Sequence, residues 1–153
     1  MNPFDLKSAL LAKHAQHVVL IHFPIALFLT GVAFDFSARW AKSVKWKAML
    51  AAAAYLNLVA AAVFVLPTLA TGIAAWQWQL AGQKLKGLLL VHLVLGSASG
   101  VLICLVARMH VRWRRASGTL APRSLMMVEV FAVVVVAMTA HVGGFLSGVN
   151  IPS

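Results

Sequence analysis

Six histidines, His14, His17, His22, His92, His110 and His141, are the residues of this sequence whose chemistry is least at home in its surroundings. Neutral imidazole ligates haem iron, copper and zinc. An ionisable side chain inside an apolar helix is costly, which makes each one a functional candidate. Two acids, Asp35 and Glu129, share that status. No serine or cysteine nucleophile constellation, phosphate loop or carboxylate pair accompanies the histidines, so hydrolysis and phosphoryl transfer have no apparatus. The single cysteine, Cys104, excludes an intrachain disulfide and an all-cysteine metal cage.

The elements that position these residues follow from composition. Of 153 residues, 62% are hydrophobic and 10% charged, with a mean hydropathy of +0.92. A water-soluble domain carries about a quarter charged residues. The apolar residues form four blocks at 17–40, 49–78, 88–107 and 125–146, each long enough to cross a hydrocarbon core of roughly 30 Å. They lack the alternation of a barrel strand, so all four are expected to be helices. Short connections make neighbours antiparallel. The expected fold is all-α, an integral-membrane up-down-up-down four-helix bundle in contact with the lipid bilayer. It occupies residues 17–153 behind a tail, 1–16, in which Phe4, Leu6, Leu10 and Leu11 suit a short interfacial helix. The tail lacks the layout of a cleaved signal peptide, so the first span is expected to insert uncleaved.

Net charge sets the direction. Thirteen Lys and Arg oppose three acids, a balance that here reads as membrane topology and not as nucleic-acid binding. Arg39, Lys42, Lys45, Lys47, Arg108, Arg112, Arg114, Arg115 and Arg123 cluster at the first and third connections, against Lys7, Lys13, Lys84 and Lys86 on the other side. The richer side is expected to be cytoplasmic, which puts both termini outside. Trp40, Trp46 and Trp113 then mark the cytoplasmic interface, and Trp76 and Trp78 the outer one.

In this frame the histidines fall together. His22 lies early in the first span, His92 early in the third and His141 late in the fourth. Because the spans alternate in direction, each is expected roughly 7 to 10 Å below the outer boundary. His17 is shallower, while His14 and His110 are read as surface residues. Small residues share the histidine level: Thr68, Thr71, Gly72 and Ala75 on the second span, Gly96, Ser99 and Gly100 on the third, and Gly144 and Gly148 on the fourth. Small faces also serve close helix packing. A metal ion needs only the histidines, whereas a planar macrocycle needs the clearance as well. Pro24 removes the hydrogen bond to the Leu20 carbonyl and bends the helix near His22. Asp35 and Glu129 lie at the opposite depth, where pairing with Arg39, Arg108 or Arg123 is the structural expectation.

Several segments resemble a bacterial family of four-helix membrane proteins catalogued as domain of unknown function 2231: HVVLIHFPIALFLTGVAFDF from His17 to Phe36, PTLATGI from Pro67 to Ile73, VHLVL from Val91 to Leu95 and TAHVGGFLSG from Thr139 to Gly148. The chain departs from many relatives at Val18, where they carry proline. The resemblance implies the four-helix fold in a bacterial inner membrane, where the outward termini expected from the charge count are periplasmic. It singles out His22 and His92. Relatives joined to cytochrome-like domains imply redox work.

The leading expectation is therefore a b-type cytochrome, an electron-transfer subunit and not a stand-alone enzyme. It would hold haem b near the outer face through His22 and His92, with His141 and His17 as alternative ligands and Thr71, Gly72, Gly96, Ser99 and Gly100 lining the site. Electrons would pass between quinone and a periplasmic cytochrome or other redox protein. A second reading is a haem-free subunit or anchor whose histidines bind copper or zinc or only hydrogen-bond. A third is a small transporter or channel gated by Asp35 and Glu129.

Overall fold

Four long helices account for almost the whole of the computed structural model, which describes residues 13–117 and 122–147. They are α1 (Lys13–Trp40), α2 (Val44–Gln79), α3 (Gly87–Ser117) and α4 (Arg123–Leu146). The tail and its expected interfacial helix lie largely outside the described residues. All four contain spans long and apolar enough to cross a membrane, Gln16–Trp40, Val44–Trp78, Gly87–Ala116 and Arg123–Leu146. Each helix is apolar around most of its circumference, the pattern of an element with a core on one side and lipid on the other.

Packing runs α1 on α2, α2 on α3 and α3 on α4, with only a light contact between α4 and α1. The order round the bundle is thus sequential, and α1 and α3 stand on one diagonal, α2 and α4 on the other. Phe28, Val32, Leu58, Ala61, Val65, Ile103, Val106, Ala132 and Val136 form the core. Leu56, Leu66, Val63, Val101 and Phe131 point outward and are exposed; in water that surface would aggregate, whereas hydrocarbon is its natural solvent.

Two close approaches draw α2 into the bundle. A Cβ at Gly31 would lie 2.9 Å from Leu58 Cγ, and one at Gly100 would lie 3.0 Å from Val65 Cγ1. Small residues there let the backbones approach, which is how helices associate without a hydrophobic driving force. The turn into α3 is tight: Ala81 and Gly82 take φ of 47° and 63°, the Gly82 amide donates to the Trp76 carbonyl, and Trp76 Nε1 donates to Gln83 O at 2.9 Å.

The helices outrun the expected spans in one consequential place. The third block was expected to end at residue 107, with His110 in a connection. Instead α3 continues unbroken to Ser117, because Val106, Ala107 and His110 keep an inward stripe while Arg108, Arg112, Arg114 and Arg115 project from the outer faces. Long arginine side chains can reach an interface from within a helix, so a charge run need not end one.

Candidate functional site

At the end of the bundle away from the arginines, a histidine from each of two diagonal helices turns inward. His17 of α1 places Nδ1 3.3 Å from Thr71 Oγ1 on α2. The Thr71 hydroxyl donates back to the Pro67 and Thr68 carbonyls, at 2.9 and 3.0 Å. Its one proton is thereby committed, so His17 Nδ1–H is the donor to Thr71 and the lone pair stays on Nε2. The ring lies over Gly72, where a Cβ would meet His17 Cε1 at 3.0 Å.

His92 of α3 repeats the arrangement on α4. A Cβ at Gly143 would meet its Cε1 at 3.0 Å, and the ring lies beside the Thr139 backbone. His92 Nδ1 is sealed from solvent without a well-formed hydrogen bond, the Thr139 backbone being the polar group beside it. The two imidazoles are within electrostatic reach of each other. Histidines thus occupy one diagonal and glycines the other.

His22 is placed differently from its expected position. His17 opposite Thr71 and Leu20 opposite Thr68 set an antiparallel register that puts His22 level with Leu66. That part of α2 meets Gly100, which packs on Val65 and Leu69, eight residues along α3 from His92 and so about 12 Å deeper. His22 is also exposed, and its Nδ1–H donates to the Val18 carbonyl at 2.6 Å. The equal-depth expectation is therefore corrected: His17, not His22, shares the His92 level. His141 is near that level but exposed, with its ring edge-on to Phe145 at 4.9 Å.

The small-residue stripe of α3 is engaged in helix contacts. Ser99 and Thr139 hydroxyls are 2.7 Å apart; Thr139 donates to Val135 O, so Ser99 is the donor between them. Gly96 faces the Thr139 methyl at 3.8 Å from an added Cβ. Gly100 is filled by Val65 and Leu69. Pro24 has a use that involves neither histidine: the Leu20 carbonyl it leaves without a helical partner lies 3.4 Å from Thr68 Oγ1, which also donates to Phe64 O at 2.8 Å.

At the arginine-rich end a second polar group is buried. Arg39 donates to Asp35 Oδ2 through Nε at 3.0 Å and through Nη2, the pairing expected from the sequence. Glu129, fully buried, accepts or donates at 2.7 Å with His110 Nε2. His110 is only 7% exposed, which corrects its reading as a surface residue; its helical spacing from Val106 was the available signal. Ligating atoms of Asp35, His110 and Glu129 all lie within 4.8 Å of one another.

No curated protein and no solved structure matches the chain. A family model does match, across residues 13–149, and its description is that of a predicted membrane protein. With four membrane-crossing helices to go with it, the chain belongs to the DUF2231 family of predicted membrane proteins.

Proposed function

We propose that this protein is a b-type cytochrome-like electron carrier, with haem held between α1 and α3 by His17 and His92. The observation that carries the reading is the crossed arrangement of those two histidines with Gly72 and Gly143 on the other diagonal. Two inward imidazoles are the donor set for low-spin haem iron, four-helix bundles hold cofactors between facing helices, and Gly72 and Gly143 seat the two imidazole rings. The residues fit in donor chemistry as well. His17 is held in the tautomer whose Nε2 keeps its lone pair, and the half-buried His92 has only the Thr139 backbone beside it.

Haem bound there would supply one-electron redox chemistry. Thr71 orients His17 through its other nitrogen, the second-shell bond that fixes a ligating imidazole. Lipid-facing apolar helices exclude water, a condition that shapes the potential of such a site. We place the site on the periplasmic side of a bacterial inner membrane, from the arginine bias of the opposite end, with quinone and a periplasmic redox protein as exchange partners. Asp35 and Glu129 are engaged by Arg39 and His110, which favours this reading over a polar gate.

The test is an absorption spectrum of detergent-purified protein, oxidised and then dithionite-reduced. The wild type is expected to show a low-spin haem spectrum, His17→Ala and His92→Ala each to lose it, and His22→Ala to keep it. A colourless wild type, purified from haem-replete cells, overturns the cytochrome reading. Loss in His22→Ala with retention in His17→Ala overturns the ligand pair.

A further inference from the structure

The group at the arginine-rich end contains one atom that its neighbours do not account for. Glu129 has no solvent exposure. Its Oε1 lies 2.7 Å from His110 Nε2, while its Oε2 is buried without any hydrogen-bond partner. Inside a span there is no bulk water to which that oxygen can turn. Buried polar atoms are nearly always satisfied, so an unsatisfied carboxylate oxygen marks a missing partner, a donor or a cation.

The surroundings say what kind. Asp35 comes from α1, His110 from α3 and Glu129 from α4, and one ligating atom of each lies within 4.8 Å of the others. All three are buried, at 2%, 7% and 0% exposure. Three helices far apart in sequence therefore converge one imidazole and two carboxylates on a single point. Arg39 borders this set: its charge reaches Glu129, and it binds Asp35 through one oxygen, Oδ2. A carboxylate has about four acceptor sites, so that bond does not exhaust Asp35. A proton between Glu129 and His110 answers one contact, whereas a divalent cation answers all three groups at once.

We propose that Asp35, His110 and Glu129 form a binding site for one first-row divalent cation of the Zn2+ or Mn2+ class. Imidazole nitrogen with carboxylate oxygen suits these ions, which take such ligands at roughly 2.0–2.2 Å. Thiolate-preferring Cu+ is disfavoured, since Cys104 is exposed and outside the group. Three protein ligands leave a coordination position for water or for a further group. The site is independent of the haem reading, being at the other end of the bundle.

The experiment is Zn2+ titration of metal-stripped, detergent-purified protein by calorimetry, with bound metal counted by mass spectrometry. The double variant His17→Ala, His92→Ala provides a background in which the outer histidines cannot contribute. One equivalent is expected to persist in that background and to weaken at least tenfold on adding Glu129→Gln or Asp35→Asn. Thermal unfolding separates a lost site from a lost fold. Zn2+ is expected to raise the midpoint of the wild type and to leave that of Glu129→Gln unmoved, each starting from a cooperative transition. Absence of a stoichiometric site in the wild type, or equal binding after Glu129→Gln, overturns the proposal and leaves the group a hydrogen-bonded proton network.

Discussion

A threonine hydroxyl has one proton, and where that proton goes decides what the histidine beside it can do. Thr71 donates to its own helix and receives from His17, so the partner that fixes the ring also keeps Nε2 available as a ligand. On the haem reading we propose, Thr71→Val, which removes the acceptor while keeping the volume, is expected to loosen haem retention about tenfold or more, as loss of a bond to a ligand's other nitrogen does at metal sites. Thr71→Ser should restore it. Haem transfer to apomyoglobin, timed for each variant, measures the difference; equal release rates for wild type and Thr71→Val would reduce Thr71 to a packing residue. At this scale the sequence was only partly legible. His92, Thr71 and Gly72 could be picked out because helical spacing puts polar and small residues on one stripe. From sequence, His22 stands ahead of His17 because the family resemblance singles it out and hydropathy sets its depth, whereas an interhelical register, which sets true depth, is not written in any one helix. His110 was passed over because arginines on either side of it disguised the inward position.

Helices in lipid have little to gain from burying apolar surface, so contact depends on how closely the backbones approach. Gly31 and Gly96 show the two sides of that rule. A methyl at Gly31 would meet Leu58 at 2.9 Å, and the Leu58 backbone nitrogen at 3.2 Å, whereas a methyl at Gly96 finds its nearest neighbour at an ordinary 3.8 Å. Gly31→Ala is therefore expected to cost about 1–3 kcal/mol through overpacking. Gly96→Ala should be neutral or slightly stabilising, since alanine is the better helix former. Denaturation in mixed micelles compares them; a tolerated Gly31→Ala would mean that α1 and α2 slide apart at little cost. The four helices themselves were legible, because runs such as AMLAAAAYLNLVAAAVFVL have no alternative in a membrane. Their ends were less so. Hydropathy falls where arginines begin, but backbone hydrogen bonding in α3 does not, and ten further residues carry the helix past its apolar limit to Ser117.

Among the described residues, the polar side chains that helices turn toward one another gather mainly at the two ends of the bundle. Imidazoles, hydroxyls and glycines gather beyond one side of the core, and the buried carboxylates with His110 and Arg39 beyond the other. The seam between α1 and α4 is the most lightly packed, with an apolar groove lined by Leu29, Val32, Ala33, Phe36, Val130, Val133 and Val134. On the cytochrome reading we propose, which polar end meets the cytoplasm decides which redox partners could reach the histidines, and charge is the guide. Arg39, Lys42, Lys45 and Lys47 flank the α1–α2 connection and Arg108 to Arg123 the α3–α4 connection, against Lys84 and Lys86 between α2 and α3. Retention of basic connections on the cytoplasmic side is expected to direct the α2–α3 turn outward. Single cysteines at Ser43 and Gln83, both exposed, test this in a Cys104→Ala background with a membrane-impermeant maleimide on intact cells. Gln83→Cys should label and Ser43→Cys should label only after lysis. The reverse pattern would turn the histidine layer toward the cytoplasm and, on the proposed reading, replace the periplasmic redox partner with a cytoplasmic one.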